Sequence, residues 1–262
     1  MPEAVATTTR LELRGLQAGY FGQPVVRDLD LRVGPGEVVA LLGANGAGKT
    51  TTLTTVAGLI APLGGVIEFD GEEIGGRAAH RLARQGISLV PESRALFPGL
   101  TVREHLRLAR TGGASLDEAD LLGMLPELEK CLGRKAGVLS GGEQQMLAVG
   151  RALVGRPRLL LVDEMSLGLA PIVVERLLPI LRRVAEEMGT GVLFVEQHVP
   201  LALEVADRAY VLSHGRLVAE AAAAELARRP ELLRSSYLGD EAAESVAQES
   251  PVGKSSREER HD

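Results

Sequence analysis

A chain of 262 residues with 45% hydrophobic content has enough apolar side chains for a sizeable core, which excludes global disorder and suits one large α/β domain or a domain with a subdomain. Aromatics at 3%, no tryptophan and a net charge of −6 exclude a general nucleic-acid binder, which needs stacking faces and positive charge. The single cysteine, Cys131, excludes a disulfide framework or a cysteine zinc site within one chain.

The first stretch, MPEAVATTTRLELRG, lacks a charged start followed by an apolar core and does not read as a signal peptide. No apolar run approaches the roughly 18 residues of a membrane span, so a membrane role has to come through a partner. DLDLRV at 28–33 alternates polar and apolar and predicts a half-buried strand. After the GPG break, EVVALLG predicts a buried strand running into a glycine-rich loop, followed by a helix from about Lys49 to Leu59. VIEFDGEEI predicts a hairpin turned at Asp70-Gly71, and GISLV at 86–90 another short strand.

From Pro91 to about Gly155 the pattern is helical, with capping boxes expected at Thr101/Glu104 and at Ser115/Glu118. RLLLVD at 158–163, a helix from Pro171 to Met188, GVLFVEQ at 191–197 and a further helix into RAYVLSHGRLV then alternate. That alternation implies parallel strands with crossover helices. From Asp240 the chain is rich in Ser, Glu and Arg with almost no large apolar residues, and residues 240–262 read as a disordered tail.

Gly43, Gly48, Lys49 and Thr50 satisfy G-x-x-x-x-G-K-[ST]. Glycines let backbone N–H groups turn inward around phosphate oxygens at the positive end of a helix, Lys49 supplies charge, and Thr50 offers a hydroxyl to Mg²⁺. LLLVDE places Asp163 and Glu164 at the end of a buried strand. Alone, such a run is usually a strand meeting solvent; behind a phosphate loop, Asp163 suits Mg²⁺ and Glu164 suits a general base. Tyr20 in AGYFG could stack on adenine or simply occupy a turn. His198 could donate to a γ-phosphate, cap a helix or be a surface group.

A second loop-to-helix junction, LSGGEQQ, places Ser140 at a helix start, where free amides also favour anions. One nucleotide site needs one cradle, so this junction would be idle unless it met phosphate from another molecule.

GANGAGKTT, LSGGEQQ, LLLVDE and His198, in this order and spacing, resemble the ATP-binding-cassette ATPases over roughly residues 10–239. The resemblance implies a P-loop NTPase (RecA-like) α/β core, an antiparallel β subdomain and a helical subdomain at about 91–155 carrying LSGGEQQ. It implies a head-to-tail dimer, of identical or related chains, that sandwiches two ATP molecules with Mg²⁺. In that frame Tyr20 stacks adenine, and Gly43, Ala44, Asn45, Gly46, Ala47, Gly48, Lys49, Thr50 and Thr51 bind the phosphates. Thr50, Glu92 and Asp163 hold the metal, Glu164 is the base and His198 senses the γ-phosphate. Ser140, Gly141, Gly142 and Glu143 act in trans.

SLGLAPI, GEQQMLAVGRAL and the later SSYLG look most like subunits of branched-chain amino-acid importers; urea and short-chain amide importers carry similar ones. Such a subunit works at the cytoplasmic face of the membrane under permease subunits, which the segment from Glu92 to about Leu100 would meet, with a solute-binding protein beyond them. The alternative is a soluble, non-transport relative, for example in iron–sulfur assembly. Two departures stand out: Glu92 replaces the Gln of many members, and Met165 replaces the Pro that usually follows the base, which points to a looser turn.

Overall fold

The computed structural model describes residues 9–110, 115–169 and 171–229; the 240–262 tail and SSYLG lie outside the described residues. Two sheets organise the chain. β1 (Leu11–Tyr20), β2 (Gln23–Val33), β4 (Gly64–Phe69) and β5 (Glu72–Glu73) form an antiparallel sheet in the order β2-β1-β4-β5. The second sheet contains β3 (Val38–Gly43), β6 (Ile87–Val90), β7 (Leu159–Asp163), β8 (Gly191–Val195), β9 (Arg208–Ser213) and β10 (Arg216–Ala222). Its order is β10-β9-β3-β8-β7-β6, parallel except for β10.

Strands buried on both faces read as unbroken apolar runs, and VVALLG, LLLVD and GVLFV are fully buried. Alternate residues serve two cores. Val39, Leu41, Leu161, Leu193 and Leu212 face the antiparallel sheet, with Leu53 and Val56 of α1 (Lys49–Val56) in the same cluster. Val38, Ala40, Leu160, Val162 and Phe194 face the other helices. These include α3 (Val102–Leu108), α4 (Glu118–Met124), α5 (Gly141–Val154), α6 (Pro171–Met188) and α7 (Val199–Val205); α2 (Ala79–Arg84) and α8 (Ala223–Arg228) are short. Phe194 is 1% exposed, so Phe194→Ala should cost about 3–5 kcal/mol in denaturant unfolding. A loss under about 1 kcal/mol would mean the site collapses without leaving a cavity.

The Asp70-Gly71 hairpin turns with positive φ at both residues, 49° and 79°, as an Asp-Gly turn requires. α6 spans the stretch that its sequence predicts even though Pro179 lies inside it. Val174, Leu177, Leu178, Leu181 and Ala185 form a buried stripe that outweighs the missing hydrogen bond. The Thr101/Glu104 capping box is present.

Two expectations need correction. α1 ends at Val56, short of Leu59, because Gly58 turns the chain with φ 72°. The cap of α4 is Asp117, which accepts from Asp120 N at 2.7 Å, and no Ser115/Glu118 box forms. Glu118 instead binds Arg103 through two hydrogen bonds of 2.9 and 3.1 Å.

Candidate active site

The carboxyl ends of β3, β6, β7 and β8 lie side by side in one parallel sheet, the edge at which α/β sheets collect ligands. β3 delivers the phosphate loop, β7 delivers Asp163 and Glu164, β8 delivers Glu196, Gln197 and His198, and β6 leads to Glu92. The loop depends on glycine at both ends. A Cβ at Gly43 (φ 147°) would lie 2.3 Å from the Leu212 carbonyl oxygen, and one at Gly48 (φ 102°) 2.7 Å from Val26 Cγ2. Between them Asn45 and Gly46 are exposed, a Cβ at Gly46 would meet nothing within 4 Å, and the Ala47 N–H closes the turn on Ala44 O at 3.2 Å. Thr51 is buried behind them.

Lys49 is only 4% exposed, and its ammonium donates to Gly43 O at 2.8 Å and Ala44 O at 2.9 Å. Burial lowers its pKa, while the charges of Glu164 and Asp163 oppose that shift. Nζ stands 3.8 Å from Glu164 Oε1. Thr50 Oγ1 donates to Asp163 Oδ1 at 2.9 Å. Burial pushes the Asp163 carboxyl up to about 6, the Thr50 hydroxyl holds it down, and the charges of Glu164 and Glu92 add to the rise. A buried carboxylate beside a hydroxyl at the foot of a phosphate cradle fits a hard divalent cation that takes its other ligands from phosphate and water.

Glu164 adopts φ 42°, its N–H donates to Val195 O at 3.1 Å, and Gln197 Nε2 donates to its Oε2 at 2.8 Å. Met165, the next residue, is 1% exposed and packs within the helix-facing core. His198 occupies the N-cap position of α7 and is exposed; its ring makes no capping hydrogen bond, so of the two bland readings the surface group remains. Tyr20 ends β1 and is 45% exposed, while Val25 and Val26 of the adjoining strand pack on Gly48. Glu92 is exposed and reaches the cluster electrostatically.

The second junction is a capped helix start. Ser140 caps α5 and Glu143 completes the box: Glu143 N donates to Ser140 Oγ at 3.3 Å, and Ser140 N to Glu143 Oε2 at 2.7 Å. Gly142 leaves no room for a side chain, since a Cβ there would sit 2.8 Å from Val173 Cγ1, and one at Gly141 would sit 3.2 Å from Leu169 Cδ2. Ser140, Gly142, Glu143, Lys130, Val173 and Arg176 are among the residues lining a cavity of about 260 Å³, and no phosphate-loop residue lines it. The two loop-to-helix junctions therefore share no cavity within one chain.

The Ser140 N–H, the Cys131 thiol and Arg134 hold Glu143 down at about 2 from its usual 4.5. A depressed acid stabilises the fold above its unfolded pKa and loses that contribution as pH falls through the folded one. The stability gap between the parent and Glu143→Gln should therefore be full at pH 7 and close between about pH 5 and 2 in denaturant titrations. A gap independent of pH would show that the carboxylate charge contributes nothing.

Sequence reasoning missed Glu196 and Gln197, whose only signal is their place at the end of a site strand. It also missed Arg94, which donates to Gln144 and Gln145 of α5 at 2.9 Å each and ties the loop after Glu92 to the helix behind Ser140.

A family model for the ABC transporter matches residues 26–166. The high-affinity branched-chain amino acid transport ATP-binding protein BraG of Pseudomonas aeruginosa is 43% identical over 228 residues, covering 84% of this chain and 96% of that protein. The probable branched-chain amino acid transport ATP-binding protein LivF of Archaeoglobus fulgidus is 34% identical over 218 residues, covering 80% and 91%. Among solved structures, a dimeric ATP-binding cassette in a post-hydrolysis state bound to ADP and Pi is 25% identical with a TM-score of 0.71, covering 81% of this chain and 98% of that one. Phosphate cradle, strand-end acids and likeness along nearly the whole of these relatives agree: the chain belongs to the ABC transporter family as one of its ATP-binding, ATP-hydrolysing subunits.

Proposed function

We propose that this subunit energises an importer of branched-chain amino acids or a closely similar small solute, working as a dimer under permease subunits at the cytoplasmic face of the membrane. One observation carries the solute class: the 43% identity to BraG over 96% of that protein. The transport proteins among its relatives speak against a soluble iron–sulfur assembly role. Among the described residues no helix is long and apolar enough to cross a membrane. An extracytoplasmic solute-binding protein would deliver the solute to those permeases.

Each ATP lies between the phosphate loop of one subunit and Ser140, Gly141, Gly142 and Glu143 of the other. The separation of the two half-sites within one chain supports this arrangement. Tyr20 stacks adenine; Gly43 to Thr51 bind phosphates through backbone N–H groups, Lys49 and the start of α1. Thr50 and Asp163, with Glu92 nearby, hold Mg²⁺, which when bound neutralises phosphate charge. Glu164 takes a proton from the attacking water, and His198 donates to the γ-phosphate. The helical stretch at about 91–155 and residues 10–239 as a whole make up the working cassette. ATP favours the closed dimer and hydrolysis removes that preference, which shifts the permease between two arrangements.

Reconstitution with its permeases and solute-binding protein tests the solute: leucine-loaded binding protein should stimulate ATP hydrolysis and uptake, while urea and short-chain amides should not. Stimulation by urea or amides alone would move the protein to another importer class.

A further inference from the structure

The loop after Glu92 carries an arginine to which the nucleotide chemistry above gives no part. Arg94 donates from Nε to Gln145 Oε1 and from Nη1 to Gln144 Oε1, both at 2.9 Å. Both acceptors are neutral. No carboxylate pairs with Arg94 among the described residues, and its Nη2 makes no hydrogen bond there. The guanidinium is thus held in place with its charge uncompensated by an ion pair. It lies beside the first turn of α5, where a Cβ at Gly141 would sit 3.7 Å from Nη2 and 4.0 Å from Nη1.

The chain tolerates unfavourable local structure to keep it there. Arg94 and Ala95 both adopt the left-handed region, with φ 62° and 47°, which non-glycine residues hold only where their surroundings impose it. Arg151 of α5 imposes it by donating to Ala95 O at 2.5 Å and to Arg94 O at 3.2 Å, while Arg94 N donates to Pro91 O at 2.8 Å. Gln145 is 2% exposed and gives its carbonyl to Arg94, although its own Nε2 has no partner among the described residues. A buried amide left unpaired is destabilising. A contact that only fastened the loop to the helix would need neither the strain nor the lone charge.

We propose that Arg94 serves nucleotide binding in trans: its charge strengthens the attraction of the Ser140-Gly141-Gly142 junction for the phosphates of the ATP held by the partner subunit. The inference rests on the dimer in which that junction meets the partner's ATP. A helix start presents only about half an elementary charge, and salt screens it within the first turn. Ser140, Gly141 and Gly142 add dipoles and no charge. Glu143, the acid in that turn, is compensated by Arg134 at 2.8 Å and by the Ser140 N–H. A fixed cation beside the turn then gives the junction the net positive charge that suits a triphosphate. Two glutamine carbonyls orient the guanidinium without cancelling that charge, which a carboxylate partner would do.

The test is ATP-driven pairing of the full-length chain in a Glu164→Gln background, followed by light scattering against protein concentration with Mg²⁺ and ATP. Arg94→Met keeps an extended side chain and removes the charge. It should raise the dimer dissociation constant about ten- to a hundredfold, since each dimer loses the cation at two sites. It should also flatten the dependence of that constant on potassium chloride, because a screened attraction has gone. Arg94→Lys keeps the charge but cannot fork to Gln144 and Gln145, and should stay within about fivefold of the parent. ATP affinity of the single subunit, carried by its own phosphate loop, should stay within about twofold in both variants. Equal losses in Arg94→Met and Arg94→Lys with the salt dependence unchanged would reduce Arg94 to a structural tie. An undiminished dimer in Arg94→Met would remove it from the site. Either result overturns the proposal and leaves the dimer standing, whereas a Glu164→Gln parent that binds Mg-ATP yet never pairs removes the dimer and the proposal together.

Discussion

Replacing Glu164 with glutamine should leave ATP bound and nearly stop its hydrolysis, with kcat down about 10²- to 10⁴-fold, the usual contribution of a positioned base. The substitution is nearly isosteric, and the groups proposed to hold ATP are elsewhere: the loop amides, Lys49 and the Thr50–Asp163 pair. Removing a negative charge 3.8 Å from Lys49 also leaves that ammonium freer to serve the phosphates, so affinity should hold or tighten. Binding without turnover predicts a second readout. With Mg²⁺ and ATP the variant should accumulate as a dimer by light scattering, since nothing removes the nucleotide that joins the two half-sites. The parent with ADP should not. Phosphate release within tenfold of the parent would take the base assignment away from Glu164.

The two halves of the site were unequally legible in the sequence. The phosphate loop and the Asp163-Glu164 pair could be read because their chemistry needs fixed spacings beside buried apolar strands, and such strands leave continuous runs such as LLLVD. β1 left no such trace. Its pairing with β2 and β4 slips in register around Gly15, and the burial pattern loses its alternation there. Ser115 and Glu118 had the right spacing for a capping box, but Asp117 lies between them and Arg103, far away in sequence, takes the glutamate. Gln197 was invisible for a related reason. A glutamine after a strand has no fixed chemistry until tertiary structure sets another strand's carboxylate 2.8 Å from it. Local rules found what backbone geometry demands; contacts between strand ends required the fold.

Lys49→Ala should weaken ATP binding by about 2–5 kcal/mol, roughly 30- to several-thousandfold, as measured by titration with a fluorescent analogue. The size follows from burial. At 4% exposure the ammonium is poorly screened, and a phosphate that loses it keeps the loop amides, the helix end and the metal proposed at Thr50 and Asp163. Lys49→Arg should rescue little, because the planar guanidinium cannot reproduce a compact ammonium folded between Gly43 O and Ala44 O at 2.8 and 2.9 Å. The loss also reaches the nucleotide-free protein, where Asp163 and Glu164 would face each other without their shared cation and the Gly43 and Ala44 carbonyls would each lose one hydrogen bond. Unfolding of the nucleotide-free Lys49→Ala protein should therefore move in the destabilising direction, and adding ATP should restore little of it, since stabilisation by a ligand scales with its affinity. Affinity within threefold of the parent would mean that the loop amides alone carry the phosphates, and the role given to Lys49 would fall.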